Sequence, residues 1–291
     1  MHTLGARMTR CYWWPTSARG SWDQGIVEEL TANFDHDPEG VVDEGAVVVI
    51  AGQHSLGAAE ILADMTANLP WCLAIVTSDE EAAFPVELLP HDDKHQIWGQ
   101  YHARPEFDRV IPIGLPPNTP DLGDEAPRDI DVMFAGQNTH ARRAELIDVM
   151  KTMACEPGNG NIAWYATTGF RQGMDRDEYL DALCRTKIVP CPSGIHSLDS
   201  FRLYEAIAAG ALPIIEQSTP DGREGEFWPS LFGYEYPIPT VESWEQLPDM
   251  IDGLTDPPVW RRVRDEIAVW YADYRTQLAA DFENTIARLQ S

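Results

Sequence analysis

At 291 residues the chain exceeds one small domain and fits two of about 100 to 150 residues each, and a hydrophobic content of 44% supplies real cores. A formal net charge of −26 argues against a general nucleic-acid-coating or membrane-surface protein, since those concentrate positive charge, although the solubility habit of an acidic proteome gives the same surface. No apolar run approaches the ~20 residues of a membrane span, no signal-peptide core opens the chain, and five cysteines without a Cys-x-x-Cys pair read as buried free thiols, so a cytoplasmic protein is expected.

The first 22 residues hold Arg7, Arg10 and Arg19 and no acid, in a chain with 47 acids, interleaved with Tyr12, Trp13, Trp14 and Trp22. Residues 9–14 read as a first strand, 15–21 as a loop, and Asp23 as the opening of a helix to about 33. Residues 45–51, GAVVVIA, are a strongly apolar second strand, followed by Gly52, Gln53, His54, Ser55 and a helix over about 56–68. Further strands are expected at 71–77, 96–101 and 109–113. Ligands bind at the carboxyl ends of parallel strands, which turns His54, Asp79 and His102 toward a substrate; solvated loop positions would look the same.

The stretch GLPPNTPDLGDEAPR lacks periodicity and reads as a linker, giving domains 1–114 and 129–291 with 115–128 between them. The second domain opens with a strand at 130–135, then Gly136 and a helix over about 140–153 carrying Arg142 and Arg143. Adjacent helix positions point apart, so one of these arginines is expected in solvent. A strand at 161–167 leads to Thr168, Gly169 and Phe170, where a nucleotide base could stack. Asp175 with Glu178 begins a capped helix, as does Ser243 with Gln246, and 258–277 and 278–289 read as two amphipathic helices.

Between these lies the most informative stretch, RTKIVPCPSGIHSLDSFRLYEAIAAGALPIIEQ. Residues 187–191 and 211–215 are short apolar runs of the kind buried in parallel sheets. The helix between them has Asp199 or Ser200 as N-cap and Gly210 as a left-handed C-cap, with Phe201, Tyr204, Ile207 and Ala208 at the spacing of a sheet-facing stripe. The loop from Ser193 and Gly194 to Ser200 brings backbone N–H groups and hydroxyls to a helix N-terminus, which favours an anion such as a diphosphate. Arg202 adds a planar fork for a phosphate oxygen, and Glu205 one turn on can accept from ribose hydroxyls. An exposed helical ion pair is the ordinary use of two such residues.

Pro192, Gly194, Ser200, Arg202, Glu205, Ala206, Gly210, Pro213, Ile214 and Ile215 together form a composite that resembles the sugar-nucleotide signature of the exostosin-like glycosyltransferases. That resemblance implies an α/β GT-B fold, with two Rossmann-like domains facing a cleft and C-terminal helices crossing back to the first. It also implies that Glu205 holds the ribose, that Ser200 and Arg202 lie by the diphosphate, and that Gly136 with Arg142 or Arg143 reaches it too. Exostosins of animals are usually membrane-anchored, which this chain as read is not.

The implied reaction is transfer of a sugar from a nucleoside-diphosphate sugar, UDP-sugar favoured, to a hydroxyl, with inversion and without metal. No cofactor beyond the donor is expected. The base would come from the first domain, with Asp23 first, His54 second and Asp79 third. The pairs Asp35/Asp37, Asp129/Asp131 and Asp175/Asp177 invite a metal site, but none follows a buried strand in the required way. Neither G-x-G-x-x-G, G-x-S-x-G nor a P-loop is present. Two acceptors fit alike: a saccharide, or a hydroxymethylated pyrimidine of DNA as in bacteriophage enzymes of this general kind, gripped by the arginines and aromatics of the first 22 residues. A sugar-nucleotide or glycan-binding module that has lost its base is the non-enzymatic alternative.

Overall fold

Apolar runs too short for helices, and apolar on both sides, are stable where both faces are covered, and both halves of the chain use them as parallel strands. The computed structural model describes residues 9–36, 44–122, 127–156, 158, 160–167, 169, 173–218 and 227–291. The first half runs β1 (Arg10–Trp14), α1 (Gly25–Leu30), β2 (Ala46–Ala51), the single turn α2 (Gly52–Ser55), α3 (Ala59–Ala67), β3 (Cys72–Thr77), β4 (His95–Gly99) and β5 (Arg109–Val110). Its five strands are parallel and lie in sequence order. Every residue of β2 and β3 is buried. Ala46, Val48 and Ile50 pack with Ala59 and Leu62 of α3, and alternation sends Val47 and Val49 to the opposite face.

The second half runs β6 (Ile130–Gln137), α4 (Ala141–Cys155), β7 (Ile162–Thr167), α5 (Arg176–Cys184), β8 (Thr186–Cys191), α6 (Phe201–Ala208), β9 (Leu212–Glu216), α7 (Phe227–Phe232), β10 (Thr240–Val241), α8 (Leu247–Leu254) and α9 (Pro257–Gln290). Its sheet has the order β10-β9-β8-β6-β7, again all parallel. The chain first adds β7 on one side of β6 and then places β8, β9 and β10 on the other. This reversal makes a crevice at the carboxyl ends of β6 and β8, where open α/β sheets bind ligands. The first sheet has no reversal.

The chain divides into two compact units, Met1–Pro117 with Arg275–Ser291, and Asn118–Tyr274. The division falls inside the proline-rich stretch, and the last turns of α9 belong with the first unit. There Phe282 meets Trp98 of β4 edge-on at 5.6 Å, and Asp281 pairs with Arg109 at 2.8 Å. Earlier along α9, Trp260 donates its indole N–H to Lys187 O at 2.9 Å and Tyr271 packs on Tyr204 at 5.7 Å.

Several expected elements differ. The two C-terminal helices are one, because neither glycine nor proline interrupts residues 277–278. The helix expected over 56–68 starts earlier, at Gly52, passes through a 3₁₀ turn at Leu56–Ala58 around Gly57, and resumes as α3. Cys155 ends α4 and is exposed, and Cys184 is half-buried; only Cys11, Cys72 and Cys191 are the buried thiols expected. Among the described residues, no helix is long and apolar enough to cross a membrane.

Candidate functional site

The crevice of the second sheet is lined by the ends of β6, β8 and β9 and by the starts of α4 and α6. Ser193, two residues beyond β8, is fully buried and its backbone is pinned from both sides. Its N–H donates to Glu216 Oε2 at 3.3 Å, and its carbonyl accepts from His140 Nε2 and Arg143 Nε, each at 3.0 Å. Arg143 also donates to Gln137 O at 3.2 Å, so it ties the β8 loop to the end of β6. The carbonyl partner places the His140 proton on Nε2, and burial above all holds this imidazole below its ordinary value, hence neutral.

Other donors in this crevice are unanswered. Arg142 Nε lies 3.6 Å from Glu216 Oε1, yet among the described residues its Nε and Nη2 are buried without a hydrogen bond, as is the Ser193 hydroxyl. The arginine expected in solvent is therefore not found. The first turn of α4 meets carbonyls of Gln137 and Ser193 on one side and the Glu216 carboxylate on the other, so both arginines are held against protein. Glu216 is fixed by the indole of Trp244, and its carbonyl accepts from Trp228 at 2.7 Å.

At α6, Ser200 is the N-cap by backbone geometry but its hydroxyl makes no capping bond, and His140 stands likewise at α4. Both helix starts thus present amides that no side chain caps. Gly194 N–H donates to Ser197 O at 2.9 Å and closes the turn leading to α6. Arg202 is only 8% exposed. Its Nε donates to Ala135 O at 2.8 Å, and its guanidinium lies 5.4 Å from the Phe134 ring and 5.3 Å from that of Phe201. Its two terminal nitrogens have no hydrogen bond among the described residues. Gly136 makes this placement possible, because a Cβ there would lie 2.3 Å from Arg202 Nη2.

Glu205, 6% exposed, accepts the Tyr179 hydroxyl on Oε2 at 2.8 Å. Burial raises both the Glu205 carboxyl and the Tyr179 phenol above their ordinary values. Arg202 and Glu205 are therefore not an exposed ion pair. The buried face of α6 runs from Arg202 to Ala206, with Phe201 and Ile207 half-buried and Ala208 exposed, rather than along the expected stripe; α9 covers a second side through Tyr271. Gly210 has φ 65°, the left-handed cap expected. Phe170 lies outside the described residues, as do Thr168, Arg7 and Asp37.

The carboxylates of the paired-aspartate motifs have structural partners. Asp129 pairs with Arg185 and Asp131 with Lys187, each at 2.5 Å, and Asp175 caps α5 through Asp177 N–H. Among the described residues, no group of three or more His, Cys, Asp and Glu side chains is arranged to hold a metal ion.

In the first unit, Asp23 does not open a helix, because Gln24 takes the N-cap of α1. Its carboxylate turns to the strand ends and accepts the Ser78 hydroxyl at 3.0 Å and the Tyr101 hydroxyl at 2.7 Å. Asp79 is used differently: it accepts Ala83 N–H at 2.9 Å and Phe84 N–H at 3.1 Å, with Arg104 at 3.8 Å. Burial raises its carboxyl above the ordinary value against those contacts. His54 is exposed on α2, and His102 donates to Glu80 O at 2.7 Å. Of the N-terminal aromatics, Tyr12 and Trp13 are core residues, while Trp14 and Trp22 are exposed; Arg19 lies over the Trp13 ring at 5.8 Å.

Residues 126–289 match the family model described as the RXYLT1 C-terminal domain. Ribitol-5-phosphate xylosyltransferase 1 of Homo sapiens is 23% identical over 178 residues, which are 57% of this chain and 39% of that protein. The Mus musculus protein of the same name is 23% identical over 174 residues, 55% and 38% of the two chains. The chain thus spans about two fifths of the length of the curated relatives it matches. A solved structure titled "Crystal Structure of alpha1,3-Fucosyltransferase with GDP" superposes with a TM-score of 0.52 at 11% identity, covering 100% of this chain and 93% of that one. Two all-parallel Rossmann-like units with a long C-terminal helix ending on the first constitute the GT-B fold.

Proposed function

The chain belongs to the family of the RXYLT1 C-terminal domain, whose human and mouse relatives are named as xylosyltransferases, and we propose that it is itself a glycosyltransferase taking its sugar from a nucleoside diphosphate. The observation that carries this reading is the set of donors at the switch point of the second sheet that make no hydrogen bond among the described residues: the buried Arg142 Nε and Nη2 and Ser193 Oγ, and the terminal nitrogens of Arg202, beside two helix starts without side-chain caps. Buried donors are costly to leave unpaired, and an anion of two linked phosphates satisfies several together. Glu205, one turn beyond Arg202, accepts from the ribose. Arg143 positions the loop rather than touching phosphate.

In the transfer, the arginines and helix starts neutralise the departing diphosphate while a base in the first unit removes the acceptor proton, giving inversion at the anomeric carbon. Asp23 is that base in our reading, since the Asp79 carboxylate is committed to its own loop. The acceptor we favour is a polyol phosphate or saccharide hydroxyl, following the relatives' name and the two exposed tryptophans, Trp14 and Trp22, which offer flat faces to a sugar-like chain. With Tyr12 and Trp13 in the core, the grip expected for a flipped DNA base loses half of its aromatics. UDP-sugars are the donors to try first.

Calorimetric titration with UDP-xylose, UDP-glucose and GDP-fucose, followed by incubation with ribitol 5-phosphate, an oligosaccharide pool or hydroxymethylcytosine DNA and mass spectrometry, tests this reading. A pentose or hexose added to polyol or saccharide supports it. Binding without turnover points to a binding module, sugar on the DNA base corrects the acceptor, and no binding of any nucleotide sugar ends the reading.

A further inference from the structure

The proposed base has a difficulty of access. Asp23 is 1% exposed, so an acceptor hydroxyl does not reach its oxygens. Of the two hydroxyls that donate to it, Tyr101 is 3% exposed, whereas Ser78 is half-buried and forms the outward corner of the trio. Both donors sit in backbone conformations that residues with a Cβ avoid: Ser78 has φ 50° and Tyr101 φ 68°. Such outliers persist only where their surroundings over-determine them, and they cluster where a side chain must be aimed. Ser78 directly follows β3 and Tyr101 stands two residues beyond β4, so two neighbouring strand ends turn sharply to deliver hydroxyls to one carboxylate. Gln100 holds the backbone of that carboxylate, its Nε2 donating to Asp23 O and Pro112 O at 3.0 Å each, and Gln53 N–H holds Ser78 O at 3.0 Å.

Resting on the glycosyltransferase reading, we propose that Ser78 is a catalytic proton relay between the acceptor hydroxyl and Asp23, with Tyr101 the positioning residue that holds the second carboxylate oxygen. As the acceptor oxygen bonds to the anomeric carbon, its proton passes to Ser78 Oγ while the proton of Ser78 passes to Asp23 Oδ1. The electron pair of the breaking sugar–phosphate bond leaves with the nucleoside diphosphate. Asp23 ends protonated and Ser78 unchanged; once product departs, the same path returns the proton to solvent. A trio kept for folding alone needs no hydroxyl at its outward corner, where glycine suits φ 50° better than serine.

Glycine at this position separates the two roles. Ser78→Gly relieves the left-handed backbone but gives up one hydrogen bond to Asp23, so its Tm is expected to stay close to that of wild type. The same variant loses about 100-fold or more in kcat for transfer from UDP-xylose to ribitol 5-phosphate or to water, with the KM for UDP-xylose unchanged. Tyr101→Phe loses about tenfold in kcat, again at constant KM. Wild-type rates in H2O/D2O mixtures curve with deuterium content, as two moving protons require, and those of Ser78→Gly fall on a line. A Ser78→Gly protein with wild-type kcat beside an inactive Asp23→Asn overturns the relay and leaves Asp23 as the base. A wild type that binds no nucleotide sugar overturns the glycosyltransferase reading, and the relay with it.

Discussion

At the carboxyl ends of the first sheet the acids are answered from within, Asp23 by two hydroxyls and Asp79 by the amides of Ala83 and Phe84. At the same ends of the second sheet, Arg142, Arg202 and the Ser193 hydroxyl are buried or nearly so and keep nitrogens or oxygen without a hydrogen bond among the described residues. Strand order explains part of the contrast. The second sheet reverses direction between β6 and β8 and so opens a crevice beside two helix starts, while the first adds its strands in sequence and closes its edge with side chains. In the proposed division of labour, unpaired donors at the second sheet await an anion, and hydroxyls held at strained backbone at the first sheet aim one carboxylate.

The largest effect that would sharpen this contrast is on turnover. Asp23→Asn is expected to lower transfer by about 100- to 10,000-fold while donor affinity stays put, because the proposal assigns the donor to the other unit. Steady-state kinetics beside calorimetry reads both; weakened donor binding would break the division of labour. Next come the donor contacts. Arg202→Ala and Arg142→Ala should each weaken UDP-sugar binding by about 10- to 100-fold, the equivalent of about 1.5 to 3 kcal/mol for a charge-assisted hydrogen bond. Arg142 retaining full affinity would show that its free nitrogens serve Glu216 instead.

Much of this arrangement is legible in the amino-acid sequence because it follows from patterns that backbone physics enforces. Apolar runs bounded by proline and glycine give the strands, and Gly210 gives the left-handed cap. The strand, loop, helix and strand around Ser200, Arg202 and Glu205 read directly, since residue types and spacing carry the chemistry. The burial of Arg202 and Glu205 does not read, because it depends on the Phe134 ring, on Gly136 and on Tyr179 in distant elements. At the first sheet the sequence points to Asp79 and His102, and the hydroxyls that reach Asp23 are one position earlier in each case, at Ser78 and Tyr101. Polar residues at strand ends lead to the neighbourhood of Asp23. Neither serine nor tyrosine announces a left-handed turn as glycine or asparagine would, so the direction of each side chain stayed hidden.

A smaller effect concerns stability. Asp79→Ala leaves the Ala83 and Phe84 amides unpaired and should cost about 1 to 3 kcal/mol, seen as a Tm several degrees lower, with kcat little changed in the folded fraction. A large loss of kcat at unchanged Tm would return Asp79 to the list of bases. The smallest effect is at Glu205, whose carboxyl burial holds above 4.5, its ordinary value. Below 4.5 it is protonated in both folded and unfolded chains; as pH rises through the folded-state value, the native protein carries a desolvated charge and loses stability. Glu205→Gln keeps the acceptor for Tyr179 and removes that slope, so its Tm should exceed wild type near pH 7 and converge with it toward pH 4. Parallel curves would remove desolvation as the cause.

The central claim, that the switch point of the second sheet is the donor site, is tested most directly by titrating UDP-xylose into wild type and Gly136→Ala. The added methyl would stand 2.3 Å from Arg202 Nη2, 2.9 Å from its Cζ and 3.1 Å from Phe134 Cζ, so the guanidinium must shift from its place against that ring. The account predicts about 10- to 100-fold weaker binding by a protein that its Tm shows to be still folded; equal affinity in the two proteins would contradict it.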